Sequence, residues 1–124
     1  MSYTPPRPFL DAFAASERGR LLSAASSMRL ASGETLFRRG DPGGDLNVVT
    51  EGEMFIVDTR SVPETVLSRI RIGGAVGEMT ILDSGPRGAD VRANGPAVCA
   101  HWPKATLLAL LESDPALAAA FFRA

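Results

Sequence analysis

Apolar positions along the chain fall into three regimes. Between residues 8 and 26, Phe9, Leu10, Phe13, Leu21, Leu22 and Ala25 recur at roughly helical spacing among charged residues. That spacing predicts an amphipathic N-terminal helix over 8–26, weakened in its middle by Gly19. From residue 27 the period shortens to two. Met28-Arg29-Leu30 alternates, Thr35-Leu36-Phe37 is a second extended piece, and Gly40-Asp41-Pro42-Gly43-Gly44 closes it with turn residues. Leu46 to Thr50 and Met54 to Asp58 flank Glu51-Gly52-Glu53, which is the pattern of a hairpin. Thr65 to Ile72 places Val66, Ser68, Ile70 and Ile72 on one face before Gly73-Gly74 breaks the run. Gly88 to Ala93 and Ala97 to Trp102 are two further short strands, separated by Asn94-Gly95-Pro96. Beyond residue 103 the helical period returns, with Leu107, Leu108, Leu110 and Leu111 in one helix. Ser113-Asp114 caps another, whose first turn holds Pro115, where a missing N–H costs nothing. No stop signal follows Phe121-Phe122, which suggests that the natural chain continues.

Many short strands with frequent glycine turns, bracketed by helices, predict a mainly β fold with flanking helices. The expected architecture is an antiparallel β-roll or jelly-roll barrel of the double-stranded β-helix kind. At 124 residues the chain is the size of one domain. Its expected parts are the N-terminal helix (8–26), a barrel (27–103) and C-terminal helices (104–124).

Composition mainly removes possibilities. The formal net charge is -1 and no block of Lys or Arg occurs, so a nucleic-acid groove is not expected. No apolar run reaches the ~18 residues of a membrane span, and the polar, proline-bearing residues 1–8 lack a signal-peptide core. A single cysteine, Cys99, forms no internal disulfide, which makes a reducing cytoplasm the default. With one histidine and one cysteine, no metal site is expected. His101 reads as a lone surface or edge histidine, Cys99 as a core residue, and Trp102 as packing the last helices against the barrel. No catalytic partner for His101 stands out, so no enzyme activity and no catalytic cofactor are expected.

The segment from Gly77 to Ala93 carries the candidate chemistry. Gly77 lets backbone approach a ligand closely. Residues 78–82 can make one helical turn whose free N–H groups suit an anion. Arg87 then enters the next strand, with Gly88 and Ala89 keeping the wall thin. One loop thus offers a carboxylate that accepts a sugar hydroxyl and a guanidinium that holds two phosphate oxygens at once. A ribose fused to a phosphate suits that set. The competing possibility is a plain loop salt bridge between Glu78 and Arg87.

Gly77-Glu78-Met79 followed by Arg87-Gly88-Ala89 resembles the phosphate-binding cassette of the cyclic-nucleotide-binding domain family. That family includes catabolite activator proteins, protein kinase A regulatory subunits and nucleotide-gated channels. Gly33-Glu34 with Phe37, Gly40-Asp41-Pro42-Gly43, Val48-Val49 with Glu51-Gly52-Glu53, and Gly73 resemble the same family along nearly the whole chain. The resemblance implies that Glu78 takes the ribose 2′-hydroxyl and Arg87 the exocyclic phosphate oxygens. Gly77, Met79, Gly88 and Ala89 would line the nucleotide, and Leu67 and Ser68 would face the purine. It also implies a regulatory sensor of cyclic AMP rather than an enzyme, read by an effector domain or partner protein through the C-terminal helices. The alternative is a degenerate domain kept as a protein-interaction module without nucleotide.

Three positions depart from the family pattern. Gly88 stands where many members carry Ala, Ser or Thr; without a hydroxyl the site leans toward adenine over guanine. Asn47 stands where an aromatic is common, a matter of packing. Asp90 replaces an uncharged residue. Alternation along a strand would put Asp90 on the face of Gly88, where a carboxylate ~4 Å from a phosphate would repel it by roughly 1–4 kcal/mol. The other option is that Asp90 points to solvent or pairs with Arg92 or another cation.

Overall fold

A computed structural model describes residues 9–76 and 86–123. The N-terminal segment forms two pieces, a 3₁₀ turn at Phe9–Ala12 and helix α1 at Ala15–Ser23. This corrects the single helix expected over 8–26. Glu17 turns back to accept the Ala14 N–H (2.9 Å), which marks a fresh helix start there, and Ser26 already belongs to a strand. Among the described residues six strands follow: β1 (Ser26–Leu30), β2 (Thr35–Phe37), β3 (Leu46–Asp58), β4 (Thr65–Ile70), β5 (Ala75–Val76) and β6 (Asp90–Trp102). Helices α2 (Lys104–Ser113) and α3 (Pro115–Arg123) close the chain. The strands form one antiparallel sheet in the order β1-β6-β3-β4, with β2 added to β6 and β5 to β3. The expected class, antiparallel β with flanking helices, is the one found.

The hairpin expected through Glu51-Gly52-Glu53 is not formed, and the two strands expected on either side of Asn94-Gly95-Pro96 are one. Leu46 to Asp58 is one continuous strand, and so is Asp90 to Trp102; they pair with each other from Leu46↔Trp102 to Val57↔Asp90. Gly52 and Gly95 have positive φ (74° and 78°), but they bend a paired ladder instead of closing a turn. The register shifts around Glu51 and Glu53. A Cβ on Gly52 would meet the Pro96 carbonyl at 2.4 Å, so only glycine lets the two bends nest.

Alternation on this ladder divides the interior in two. Leu46, Val48, Ala100 and Trp102 point to the helices, where they pack with Phe13, Leu21, Leu107, Leu111, Leu117 and Phe121. Trp102 is fully buried there and its indole N–H donates to the Leu21 carbonyl (2.8 Å). Val49, Met54, Ala97 and Cys99 point the other way, into a second cluster with Leu30, Ile70, Val76 and Val91. No single described helix is long and apolar enough to cross a membrane, and α2 and α3 meet at a 118° bend.

Candidate functional site

Arg87 lies just ahead of β6, and its backbone is fastened on both sides. Its N–H donates to the Asp41 carbonyl (2.8 Å), its own carbonyl accepts the Gly40 N–H (2.8 Å), and Pro86 bridges Pro42. Gly40 makes that turn possible at a φ of 92°. The side chain is buried, with 6% exposure. Its guanidinium lies 4.2 Å from the centroid of the Phe37 ring and donates from Nη2 to the Asp45 carbonyl (2.9 Å). Cation–π stacking and a hydrogen bond from one end hold a flat, five-donor group in one orientation.

This guanidinium lines a cavity of about 430 Å³ that also meets Met28, Leu36, Phe37, Asp45, Asn47 and His101. One side is apolar. The other is a polar lane: His101 Nδ1–H donates to Asn47 Oδ1 (2.7 Å), and His101 Nε2 lies 3.8 Å from Asp45 Oδ2. Asp45 Oδ1 accepts the Lys104 N–H (2.9 Å) at the start of α2. Asn47 and His101 are cross-strand partners on the face opposite Leu46 and Trp102, which is why both reach the cavity. A surface or edge place is expected for His101 and a packing role for Asn47; the structure turns both to the cavity. The signal that places them is the phase of the alternation: with Trp102 turned to the helices, its neighbour must turn inward.

Of the expected site residues, Gly77, Glu78 and Met79 lie outside the described residues. Arg87 lines the cavity. Gly88 is exposed and Ala89 half-buried; neither is among the described lining. Leu67 and Ser68 lie on β4, both exposed, and also outside the described lining. Ser68 pairs with Ile56, whereas Leu67 falls at a bulge between the Ile56↔Ser68 and Val57↔Val66 pairs.

Asp90 is buried, but its carboxylate is not among the described groups of the cavity. Oδ1 accepts the Arg39 N–H (2.8 Å), and Oδ2 pairs with Arg92 Nη2 (3.4 Å), which in turn holds Glu64. Of the two options for Asp90, the pair with Arg92 is the one found; β6 begins at Asp90 and Gly88 precedes it in a bend, so strand alternation does not tie the two residues to one face. The Glu64 carboxyl is held below its ordinary range, chiefly by its hydrogen bond to Arg92. Among the described residues no group of His, Cys, Asp and Glu is arranged to hold a metal.

Residues 27–114 match the family model described as "Cyclic nucleotide-binding domain". A cAMP-dependent protein kinase regulatory subunit of Blastocladiella emersonii is 29% identical over 105 residues, which is 84% of this chain and 26% of that protein. The crystal structure of the N-terminal domain of a transcriptional regulator from Streptomyces coelicolor A3(2) matches with a TM-score of 0.84 at 32% identity, covering 94% of this chain and 84% of that one. The regulatory domain of Toxoplasma gondii PKA, crystallised with cAMP, matches with a TM-score of 0.73 at 25% identity, covering 85% of this chain and 41% of that one. The chain spans 17% to 26% of the length of the curated relatives it matches.

Proposed function

This chain belongs to the cyclic nucleotide-binding domain family, and from that premise we propose that it is a cyclic AMP sensor whose cavity holds the ligand phosphate on Arg87. The observation that carries the reading is the buried guanidinium, fixed by the Phe37 ring and the Asp45 carbonyl at the cavity wall. A preset guanidinium loses little freedom when it binds, and its parallel N–H groups match two phosphate oxygens. Glu78 would take the ribose 2′-hydroxyl. Gly77, Met79, Gly88 and Ala89 would line the ligand, and Leu67 and Ser68 on β4 would face the base. Gly88 brings no hydroxyl to a guanine, so cyclic AMP is preferred to cyclic GMP. Binding favours one arrangement of α2 and α3, and an effector outside this chain reads that preference. The relatives named as cAMP-dependent kinase regulatory subunits support this assignment.

Calorimetric titration of the folded protein with cyclic AMP and cyclic GMP tests the reading. Saturable binding that favours cyclic AMP is expected. Absence of heat with either nucleotide at millimolar concentration contradicts it.

A second reading is a protein-interaction module without nucleotide. It draws on the exposed apolar side chains Val62, Val66, Leu67 and Ile72 in and around β4. It predicts that charged substitutions at Val66 and Leu67 abolish partner capture by the full-length protein while Arg87→Ala leaves it intact.

A further inference from the structure

We infer that Asn47 is a second phosphate-binding residue of the cavity: its side-chain amide, aimed by His101, donates to an oxygen of the phosphate group that Arg87 holds. The inference rests on the phosphate reading of Arg87 above and adds a neutral donor to it. Asn47 interrupts an otherwise apolar run, Leu46-Asn47-Val48-Val49, in which every residue is buried. Its own exposure is 3%. An amide at such a place is costly to leave without partners. Half of it is satisfied, because Oδ1 accepts from His101 Nδ1 (2.7 Å). The nitrogen end has no hydrogen-bond partner among the described residues and is not sealed by packing. It therefore opens on the cavity that the side chain lines.

The sheet fixes where that donor points. Asn47 is held on both sides, by His101 of β6 and by Val76 of β5, so its backbone is rigid and preset. With Oδ1 bound to His101, rotation about the last side-chain bond is stopped and the N–H2 group keeps one direction. The Arg87 guanidinium is anchored to the carbonyl of Asp45, two residues before Asn47, or roughly 7 Å along extended chain. Two hydrogen bonds of ~2.9 Å with one phosphate between them cover that distance. Both donors line the same cavity. The neighbouring Asp45 carboxylate is answered at each oxygen: Oδ1 accepts the Lys104 N–H (2.9 Å), and Oδ2 faces His101 Nε2 at 3.8 Å. Neither guanidinium nor amide has to move for a phosphate to meet both.

Side-chain amide NMR tests the inference, since the chain holds two carboxamides, Asn47 and Asn94. Asn94 Nδ2 donates to Glu53 at the surface and serves as the internal control. Saturating cyclic AMP should move the Asn47 N–H2 signals and leave those of Asn94 in place, and the effect should vanish in Arg87→Ala. Affinities of two further sites are read by cyclic AMP titration. Asn47→Asp keeps the size and the acceptor for His101 but replaces the donor with a carboxylate, and should weaken cyclic AMP at least about tenfold. His101→Leu frees the amide to turn and should weaken it a few-fold, whereas His101→Asn keeps a donor and should bring the affinity back. Wild-type affinity in His101→Leu overturns the positioning role of His101. Wild-type affinity in folded Asn47→Asp, or an unmoved Asn47 amide at saturation, overturns the inference and leaves the Arg87 reading standing; the wild-type spectra decide if the variant does not fold. If wild type takes no cyclic AMP, inorganic phosphate is titrated in the same spectra. A shift at Asn47 that Arg87→Ala abolishes then keeps the site and drops the nucleotide, and no shift overturns both.

Discussion

The two faces of the β3–β6 ladder are built from adjacent residues and do opposite things. Leu46, Val48, Ala100 and Trp102 face the helices in a closed cluster of large apolar side chains. Asn47 and His101, one step along the same strands, face a cavity and a guanidinium. The helix face resists change because each side chain there has many packed neighbours. The cavity face carries hydrogen-bonding groups that a close-packed core would penalise. A substitution at Leu46, Val48, Ala100 or Trp102 should therefore change stability, and one at Asn47 or His101 ligand affinity.

The largest expected effect is on the helix face. Trp102→Ala should cost about 3–5 kcal/mol through cavity formation and loss of the indole bond to Leu21; chemical denaturation measures it, and a loss under about 1 kcal/mol would break the division between faces. Asp90→Ala comes next. It leaves the Arg39 N–H without its acceptor and removes one of the two carboxylates on Arg92, so about 1–3 kcal/mol of stability should go with no gain in nucleotide affinity. Tighter cyclic AMP binding in that variant would put Asp90 back beside the phosphate.

A smaller effect belongs to the helix junction. Asp114 accepts from Arg20 and from the Leu117 N–H, and the Arg20 bond first of all holds its carboxyl below the ordinary range. A lowered folded value means that the contribution is present above the unfolded pKa and lost as pH falls through the folded one. The melting-temperature gap between wild type and Asp114→Asn should therefore narrow below about pH 4, whereas a gap independent of pH down to acid unfolding speaks against the pair. The smallest effect is at Gly88. No described atom lies within 4 Å of a Cβ built there, so Gly88→Ser should fold normally and shift the cyclic AMP to cyclic GMP preference about two- to tenfold toward guanine. Competition binding would measure it, and an unmoved ratio would remove Gly88 from base selection.

Much of this is legible in the amino-acid sequence. The change of period at residue 27, the return of helical spacing at Lys104 and the isolated Arg87 placed the fold class and the central cation. What sequence patterning missed has physical causes. Glycine at Gly52 and Gly95 reads as a turn, but a paired partner strand converts the same positive φ into a bend. Alternation alone does not decide between the pocket and an Arg92 pair for Asp90, because no local signal marks the strand boundary after Gly88. His101 and Asn47 were visible only as single polar residues. Their meeting depends on the cross-strand register, which is a long-range property of the ladder. Asp45 carries no local signal, since its two contacts are a main-chain carbonyl to Arg87 and a carboxylate to a helix start far along the chain.

The most direct test is the cyclic AMP titration of wild type beside Arg87→Ala, with folding of both checked by denaturation. Removing the buried guanidinium proposed to hold two phosphate oxygens should weaken binding by about a hundredfold or more. Equal affinity in the two proteins would contradict the assignment of the phosphate to Arg87.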